Sequence, residues 1–187
     1  MMEFIGGRIE LISGPMFSGK TTELLRRLIC DAAVKRKVLY IKCQIDVRSY
    51  LTHSPLYDTI LSIRIYQELP GLNDIKEYDT IGIDEAQFFD NLDCVKEYAD
   101  NGKRVIVAGL TGDAQRMRFG QMVELIPHAE DYQSLHALCV KCAEENRLRE
   151  AAFTYRILPA ISNEQIDVGG EEKYIPVCRT HYNKLID

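Results

Sequence analysis

The chain of 187 residues has no apolar run near the roughly 20 residues that a membrane-spanning helix needs. Its first residues lack the basic flank and the apolar stretch of a signal peptide. Basic residues are not in excess either, since 28 acidic and 23 basic side chains give a formal net charge of −5. That balance does not favour a surface that wraps DNA or RNA. We therefore expect a cytoplasmic protein that binds neither membrane nor nucleic acid.

The composition itself is that of a globular protein. Hydrophobic residues make up 46% of the chain and charged residues 27%, enough for a buried core. The length fits one domain, or one domain with a small appendage. Of the six cysteines, Cys30, Cys43 and Cys94 are isolated, and we expect them to be reduced thiols in the core.

One stretch fits the phosphate-binding pattern G-x-x-x-x-G-K-[ST] of nucleotide-binding P-loops. It consists of Gly14, Pro15, Met16, Phe17, Ser18, Gly19, Lys20 and Thr21. A strand-like apolar run precedes it and a helical apolar pattern follows it, as the pattern requires. In such a loop the backbone N–H groups and the lysine contact a nucleoside triphosphate such as ATP, and the threonine contacts Mg²⁺. The alternative is an ordinary glycine loop beside a surface lysine.

Short apolar strands alternate with helices along the first two thirds of the chain. The pattern predicts strands at 9–12, 37–43, 60–66, 80–83 and 104–110, with helices after the P-loop and around residues 92–99. Alternation of this kind predicts an α/β fold, an open parallel sheet flanked by helices, of the P-loop NTPase type.

A pair of acidic residues ends one of the predicted strands. Asp84 and Glu85 follow the apolar run 80–83, the pattern in which an aspartate holds Mg²⁺. Glu85 would then be available as a general base or to position a nucleophile. The alternative is that the two acids only cap the next helix.

The C-terminal part carries two pairs of metal-ligand residues. Cys139, Cys142, Cys178 and His181 form a Cys₃His set, which is typical of a structural zinc site with no open position. Three reduced cysteines and a surface histidine are the alternative. We expect a P-loop domain at residues 1–134 and a zinc-binding subdomain at 135–187. Its long loop, 143–177, would contact the substrate, although Gly169 and Gly170 fit a plain turn equally well.

Together, the P-loop beginning Gly-Pro-Met-Phe, the stretch Ile83-Asp84-Glu85-Ala86-Gln87-Phe88-Phe89 and the zinc pairs resemble the type II thymidine kinases, a cytosolic, zinc-containing family. The resemblance covers the chain from about Gly7 to Tyr182. It implies transfer of the ATP γ-phosphate to the 5′-hydroxyl of thymidine, giving dTMP for DNA synthesis by nucleotide salvage. It also implies Mg²⁺, a structural Zn²⁺ and a homotetramer.

The resemblance also implies roles for individual residues. Glu85 would be the catalytic base, assisted by Arg48 and Lys20, while Thr21 and Asp84 would hold Mg²⁺. The ATP and phosphate site would comprise the P-loop residues 14–21 with Asp84, Glu85, Ala86 and Gln87. The thymidine site would comprise Met16, Asp46, Phe88, Leu110, Ala114, Phe119, Thr154, Gln165, Ile166, Asp167, Val168, Gly169 and Tyr174.

Ala114 departs from the family pattern, which generally has an aromatic residue at this position. Losing that ring would widen the base pocket. A deoxynucleoside kinase of broader specificity is therefore the first alternative. A P-loop ATPase whose zinc module binds nucleic acid is a second one, which the acidic composition disfavours. An inactive relative is a third, disfavoured by the intact Lys20, Asp84 and Glu85.

Overall fold

The structure, a computed structural model, describes residues 6–45, 61–158 and 165–186. Within these residues one sheet of six parallel strands forms the centre of the molecule. The strands are β1 (Arg8–Ser13), β2 (Val38–Cys43), β3 (Ser62–Tyr66), β4 (Thr80–Ile83), β5 (Arg104–Gly109) and β6 (Asp131–Ser134). Their order in the sheet is β3-β2-β4-β5-β1-β6. The predicted open parallel sheet is confirmed, and β6 is an edge strand that the sequence pattern did not reveal.

The described helices lie beside the sheet or in the C-terminal part. They are α1 (Lys20–Ala33), α2 (Cys94–Asp100), α3 (Val140–Glu144) and α4 (Arg179–Ile186), with 3₁₀ helices at Leu72–Ile75, Ala86–Phe88 and Met122–His128. The helices predicted after the P-loop and around residue 95 are both present. No helix in the described ranges combines the length and apolar character that crossing a membrane requires.

The four central strands, β1, β2, β4 and β5, are buried on both faces, which explains their continuous apolar runs. On one face α1 packs Leu24, Leu25 and Leu28 over the strands. On the other face α2 packs Val95 and Tyr98. Burial of each such side chain stabilises the fold by about 1.5–3 kcal/mol.

Close packing of α1 depends on one glycine of strand β4. A Cβ atom on Gly82 would lie 2.5 Å from Cδ1 of Leu28, well inside van der Waals contact. Gly82 therefore allows α1 to lie directly on the sheet, so the end of the P-loop comes close to the end of β4.

A buried ionic network connects α1 to the sheet at the end where the strands begin, opposite the P-loop. Glu10 of β1 is 2% exposed and is bonded to Arg104 of β5 through both carboxylate oxygens, at 2.8 and 2.9 Å. It also meets Arg27 of α1 at 2.7 Å and Arg8 at 3.0 Å. Asp31 of α1 meets Arg104 at 2.6 Å. Charged groups thus link the later turns of α1 to two strands.

The C-terminal part contains two small antiparallel pairs that the sequence pattern did not predict. They are β7 (Ala137–Leu138) with β8 (Glu150–Ala151), and β9 (Phe153–Arg156) with β10 (Tyr174–Val177). Their inner side chains and the cysteines of the metal-ligand set form a separate small core. The predicted long loop therefore contains several short strands.

The prediction of buried isolated cysteines is correct for Cys43 but not for the other two. Cys30 is exposed because the buried stripe of α1 runs through residues 24, 25, 28 and 31, so position 30 faces outward. Cys94 is half-buried at the first turn of α2.

Candidate active site

The P-loop joins β1 to α1 and depends on its two glycines. Gly14 has a φ of 149°, and a Cβ atom there would lie 2.5 Å from the carbonyl oxygen of Leu135. Gly19, which precedes α1, has a left-handed φ of 84°. Other residues would be strained at both positions. The loop therefore turns directly into the first turn of α1, where N–H groups are available to bind an anion.

Lys20 begins α1, and its side chain turns back into the loop. The ammonium group donates a 2.8 Å hydrogen bond to the carbonyl oxygen of Pro15, and the residue is 8% exposed. A cation is thereby held beside the loop backbone, where the phosphates of a nucleotide bind in P-loop proteins.

Asp84 lies at the end of β4, opposite the first turn of α1. Its Oδ1 accepts hydrogen bonds from the Thr21 hydroxyl at 3.2 Å and from the N–H of Glu85 at 3.0 Å. The Tyr40 hydroxyl donates to Oδ2 at 2.8 Å. Burial raises the pKa of Asp84 to about 6, and the neighbouring charge of Glu85 adds to the rise. The hydrogen bonds only partly offset this effect, so a bound cation would stabilise the charged carboxylate.

Glu85 has an unusual backbone conformation. Its φ of 48° and ψ of 44° are left-handed, which costs a non-glycine residue about 1–3 kcal/mol. The conformation turns the chain sharply from β4 into the 3₁₀ helix Ala86–Phe88. Two residues on, the Gln87 amide donates a 2.6 Å hydrogen bond to Oε2 of Glu85. Strained backbone of this kind occurs preferentially at functional sites.

A cavity of about 360 Å³ extends from the P-loop over Glu85. This volume is within the range of small-molecule sites. Phe88 and Phe119 meet edge to face at its wall, with ring centroids 5.7 Å apart. The predicted residues that line the cavity are Met16, Phe17, Gly19, Lys20, Thr21, Asp84, Glu85, Gln87, Phe88, Leu110, Ala114, Phe119, Thr154, Gln165, Asp167, Val168, Gly169 and Tyr174.

Some predicted site residues lie elsewhere. Gly14 and Pro15 line a neighbouring cavity behind the P-loop. Ser18, Ala86 and Ile166 are outside the lining of both cavities, as far as the described residues define them. The predictions for Arg48 and Asp46 lie outside the described residues.

The segment 165–174 closes one side of the cavity and is tied down by side-chain bonds. Asp167 forms ion pairs with Arg156 and, at 2.6 Å, with Lys173, and its carbonyl oxygen accepts a 2.6 Å hydrogen bond from the Tyr174 hydroxyl. Gln165 donates to Oδ2 of Asp113 at 2.7 Å. These contacts hold the segment in place, with its backbone lining the cavity.

Other contacts join the C-terminal part to the P-loop. The hydroxyl of Thr154 accepts a 3.0 Å hydrogen bond from the N–H of Met16. Among lining residues that sequence reasoning missed, Tyr40 and Lys42 stand out. Both follow the two-residue alternation of β2 near its carboxyl end, where parallel sheets bind ligands. That position was the available signal.

The four predicted metal ligands lie together and are all buried. Their ligand atoms are within 4.8 Å of one another. Nδ1 of His181 is 3.4–3.5 Å from the three sulfurs, and the sulfurs of Cys142 and Cys178 are 3.9 Å apart. A tetrahedral zinc with ordinary bond lengths requires separations of about 3.6 Å for N···S and about 3.8 Å for S···S. The predicted set could therefore bind zinc.

Glu145 lies beside this cluster. Its Oε1 is 3.4 Å from Nε2 of His181, the ring nitrogen that does not face the sulfurs. A carboxylate in this position fixes the orientation of a metal-binding histidine.

Comparison with known proteins agrees with this geometry. A family profile described as "Thymidine kinase" matches residues 7–182. The chain belongs to the thymidine kinase family. It is 41% identical to thymidine kinase 1 of Dictyostelium discoideum, over 96% of this chain and 79% of that protein. It is 40% identical to the cytosolic thymidine kinase of Bos taurus, over 95% of this chain and 73% of that protein. The thymidine kinase of Oryza sativa subsp. japonica is 41% identical over 94% of this chain, which spans 66% of that protein's length.

Proposed function

We propose that this thymidine kinase family member transfers the γ-phosphoryl group of ATP to the 5′-hydroxyl of thymidine. The observation that carries the proposal is the convergence of Lys20, Thr21, Asp84 and Glu85 on one cavity. The cavity also contains an aromatic wall and the backbone of segment 165–174, which suit a flat base with polar edges.

In the proposed mechanism, the P-loop binds the phosphates. Backbone N–H groups at the start of α1 and the Lys20 ammonium would neutralise charge on the transferring group. Arg48 would add a second cation there, and Asp46 would contact the nucleoside. The two roles follow from the family resemblance.

Mg²⁺ fits the carboxylate at the end of β4. Asp84 is buried, its pKa is raised, and the Thr21 hydroxyl lies 3.2 Å from its Oδ1. These two residues would hold the ion, which would offset phosphate charge. The four-residue set at Cys139, Cys142, Cys178 and His181 would hold a structural zinc.

Glu85 would act as the general base. Its carboxylate would accept the proton of the 5′-hydroxyl while the oxygen bonds to the γ-phosphorus. The bond from that phosphorus to the bridging oxygen breaks, and ADP leaves with the electron pair. General bases typically contribute 10²–10⁴ to the rate.

The thymine would occupy the region between Phe88, Phe119 and Leu110. Main-chain groups of residues 165–169 would bind its polar edge, and such groups discriminate well because a wrong ligand leaves them unpaired. Ala114 also lines this cavity and favours a second candidate, a kinase of broader deoxynucleoside specificity.

We further propose the division into a nucleotide-binding domain at 1–134 and a zinc-binding subdomain at 135–187. The last strand of the main sheet ends at Ser134, which is consistent with this boundary. A cytosolic location follows the name of the bovine relative. The homotetramer and the absence of a nucleic-acid partner stay predictions, which sedimentation and a DNA-binding assay would test.

The test is incubation with ATP, Mg²⁺ and a panel of nucleosides, followed by product analysis and kcat/KM for thymidine, deoxyuridine and deoxycytidine. We expect dTMP and ADP in equal amounts and a preference for thymidine. Nearly equal kcat/KM values would favour the broader kinase. Hydrolysis of ATP that leaves every nucleoside unchanged would refute both. Lys20→Met, which removes the P-loop cation, is the inactive control.

A further inference from the structure

The side chain of Gln87 connects Glu85 to the wall of the base pocket. It is 3% exposed. Its Nε2 donates a 2.6 Å hydrogen bond to Oε2 of Glu85, and its Oε1 accepts a 2.9 Å hydrogen bond from the N–H of Leu110. Leu110 follows β5, so the amide spans from one strand end to the next.

The chemistry of the neighbours fixes which way this amide points. A backbone N–H can only donate, so Leu110 must face the amide oxygen of Gln87. The NH₂ group is therefore directed to the Glu85 carboxylate, which accepts. The opposite orientation of the amide would lose both hydrogen bonds, so its assignment rests on its partners.

Two glycines confine Gln87. A Cβ atom on Gly109 would lie 2.8 Å from Oε1 of Gln87, and one on Gly120 would lie 2.4 Å from its backbone oxygen. Any side chain at either glycine would therefore clash with Gln87. A side chain packed in this way is held in one orientation, so its hydrogen bond also restricts the orientation of the Glu85 carboxylate.

Glu85 needs such support because its backbone is strained. A left-handed glutamate persists only where the surrounding structure holds it. The 2.6 Å bond engages one carboxylate oxygen and thereby sets the plane of the carboxylate within the cavity.

We infer that Gln87 is a positioning residue, whose amide holds the Glu85 carboxylate in the orientation that accepts the proton of the nucleoside hydroxyl. The inference rests on the proposed role of Glu85 as the base. It differs from the expectation that Gln87 contacts phosphate, because both polar ends of the side chain have protein partners.

The consequence is a specific kinetic effect. A misplacement of about 1 Å in a reacting group can cost up to about 10²-fold in rate. Gln87→Met keeps a similar volume but makes neither hydrogen bond. We expect it to lower kcat by about 10- to 100-fold, while KM for thymidine and ATP stays within about threefold, because the bond acts on the reacting geometry.

The test is a double-mutant cycle with Glu85. The value of kcat is measured for the wild type, Gln87→Met, Glu85→Gln and the double variant. If Gln87 acts through the Glu85 carboxylate, changing Gln87 should have little effect on kcat once that carboxylate has been removed. We therefore expect Gln87→Met to change kcat by less than about threefold in the Glu85→Gln background.

Gln121→Met is the matched control. The Gln121 amide also accepts from a backbone N–H, that of Leu92 at 3.1 Å, and donates to a backbone carbonyl, that of Asp90 at 2.6 Å. It does not line the cavity, so kcat should stay within about twofold of wild type. Thermal unfolding of each variant reports its folding. Should Gln87→Met not fold, Gln87→Asn repeats the cycle, because its amide keeps a polar group there but is one methylene too short to reach both partners.

Two results would overturn the inference. One is an equal loss of kcat from the Gln87 change in both backgrounds, and the other is a raised KM with unchanged kcat. Either would leave the proposed function intact. Full turnover by Glu85→Gln alone would instead remove the base from the mechanism, and with it the role of Gln87.

Discussion

The hydroxyl of Tyr182 donates a 2.7 Å hydrogen bond to the carbonyl oxygen of Ala114. Tyr182 directly follows His181, a member of the metal-ligand set, and Ala114 lines the candidate base pocket. The guanidinium of Arg116 lies 4.3 Å from the centre of the Tyr182 ring and holds the same loop. The candidate metal site is therefore one residue away from a direct contact with the pocket wall.

Tyr182→Phe should weaken this link while keeping the ring under Arg116. Loss of one such hydrogen bond is worth about 0.5–1.5 kcal/mol. We expect the KM for thymidine to rise by about 2- to 10-fold with little change in kcat. Tyr155→Phe is the control, since the Tyr155 hydroxyl bonds the Leu185 carbonyl at 2.8 Å, away from the cavity. Equal effects of the two changes would argue against a specific link to the pocket.

Cys139→Ser should remove one of the four proposed zinc ligands. We expect zinc affinity to fall at least about 100-fold and the melting temperature to drop, because metal binding contributes folding free energy. Zinc content of the purified variant and its thermal unfolding are the measurements. Cys30→Ser, at an exposed position on α1, should retain zinc. Full zinc occupancy in Cys139→Ser would contradict the ligand set.

Glu85→Gln should remove the proposed general base while preserving the site. The neutral amide has the same size, so we expect thymidine and ATP to bind with similar affinity and kcat to fall by about 10²–10⁴. Isothermal titration gives the affinities and a radiolabelled thymidine assay gives kcat. Loss of binding in parallel with kcat would indicate a binding role for Glu85.

Ala114→Phe should narrow the base pocket. A ring stacked on the base is worth about 0.5–1.5 kcal/mol, so we expect the KM for thymidine to fall by about 2- to 10-fold. Ala114→Leu adds apolar volume without a ring and should improve KM less. The measurement is kcat/KM for thymidine and deoxycytidine. A KM for thymidine that rises in Ala114→Phe would show that the pocket has no room for a ring at position 114.

Glu10→Gln should destabilise the fold without changing any residue that lines the candidate active site. The change removes the buried carboxylate charge that Arg27 and Arg104 share, although Arg104 keeps Asp31 as a partner. We expect a cost of about 3 kcal/mol in unfolding free energy, the low end for a broken buried ion pair. Chemical denaturation measures it. Glu124→Gln is the control, because Glu124 and its partner Arg118 are both exposed, and exposed ion pairs are worth at most about 1 kcal/mol.

The same network predicts an acid dependence. Burial alone would raise the pKa of Glu10, but Arg104 and Arg27 outweigh that effect and hold it below the ordinary value. A carboxyl with a lowered folded-state pKa contributes stability above its unfolded pKa of about 4.3 and loses it as the pH falls further. We expect the unfolding free energy of the wild type to decline below about pH 4, and less steeply in Glu10→Gln. Parallel pH profiles would exclude Glu10 as the source.

The features that sequence could predict are those encoded by short-range spacing. The P-loop, the Asp84–Glu85 pair and the zinc ligands each depend on residues a few positions apart, joined to a strand or helix pattern. Strand β6 and the β9–β10 pair were missed because polar edge strands and short pairings carry weak periodicity. The contact of Gln87 with Leu110 bridges 23 positions, so only the folded chain reveals it.

Gly82, inside the sheet, determines how closely α1 can pack and so where the P-loop end of that helix lies. A methyl group at this position would have to move the Leu28 side chain, now 2.5 Å from that point, by about 1 Å to regain ordinary contact. Leu28 belongs to the same helix as Lys20 and Thr21, so lifting the helix would carry these two P-loop residues away from Asp84. The geometry of the candidate active site is thus constrained by the absence of a side chain at Gly82, which does not line the cavity.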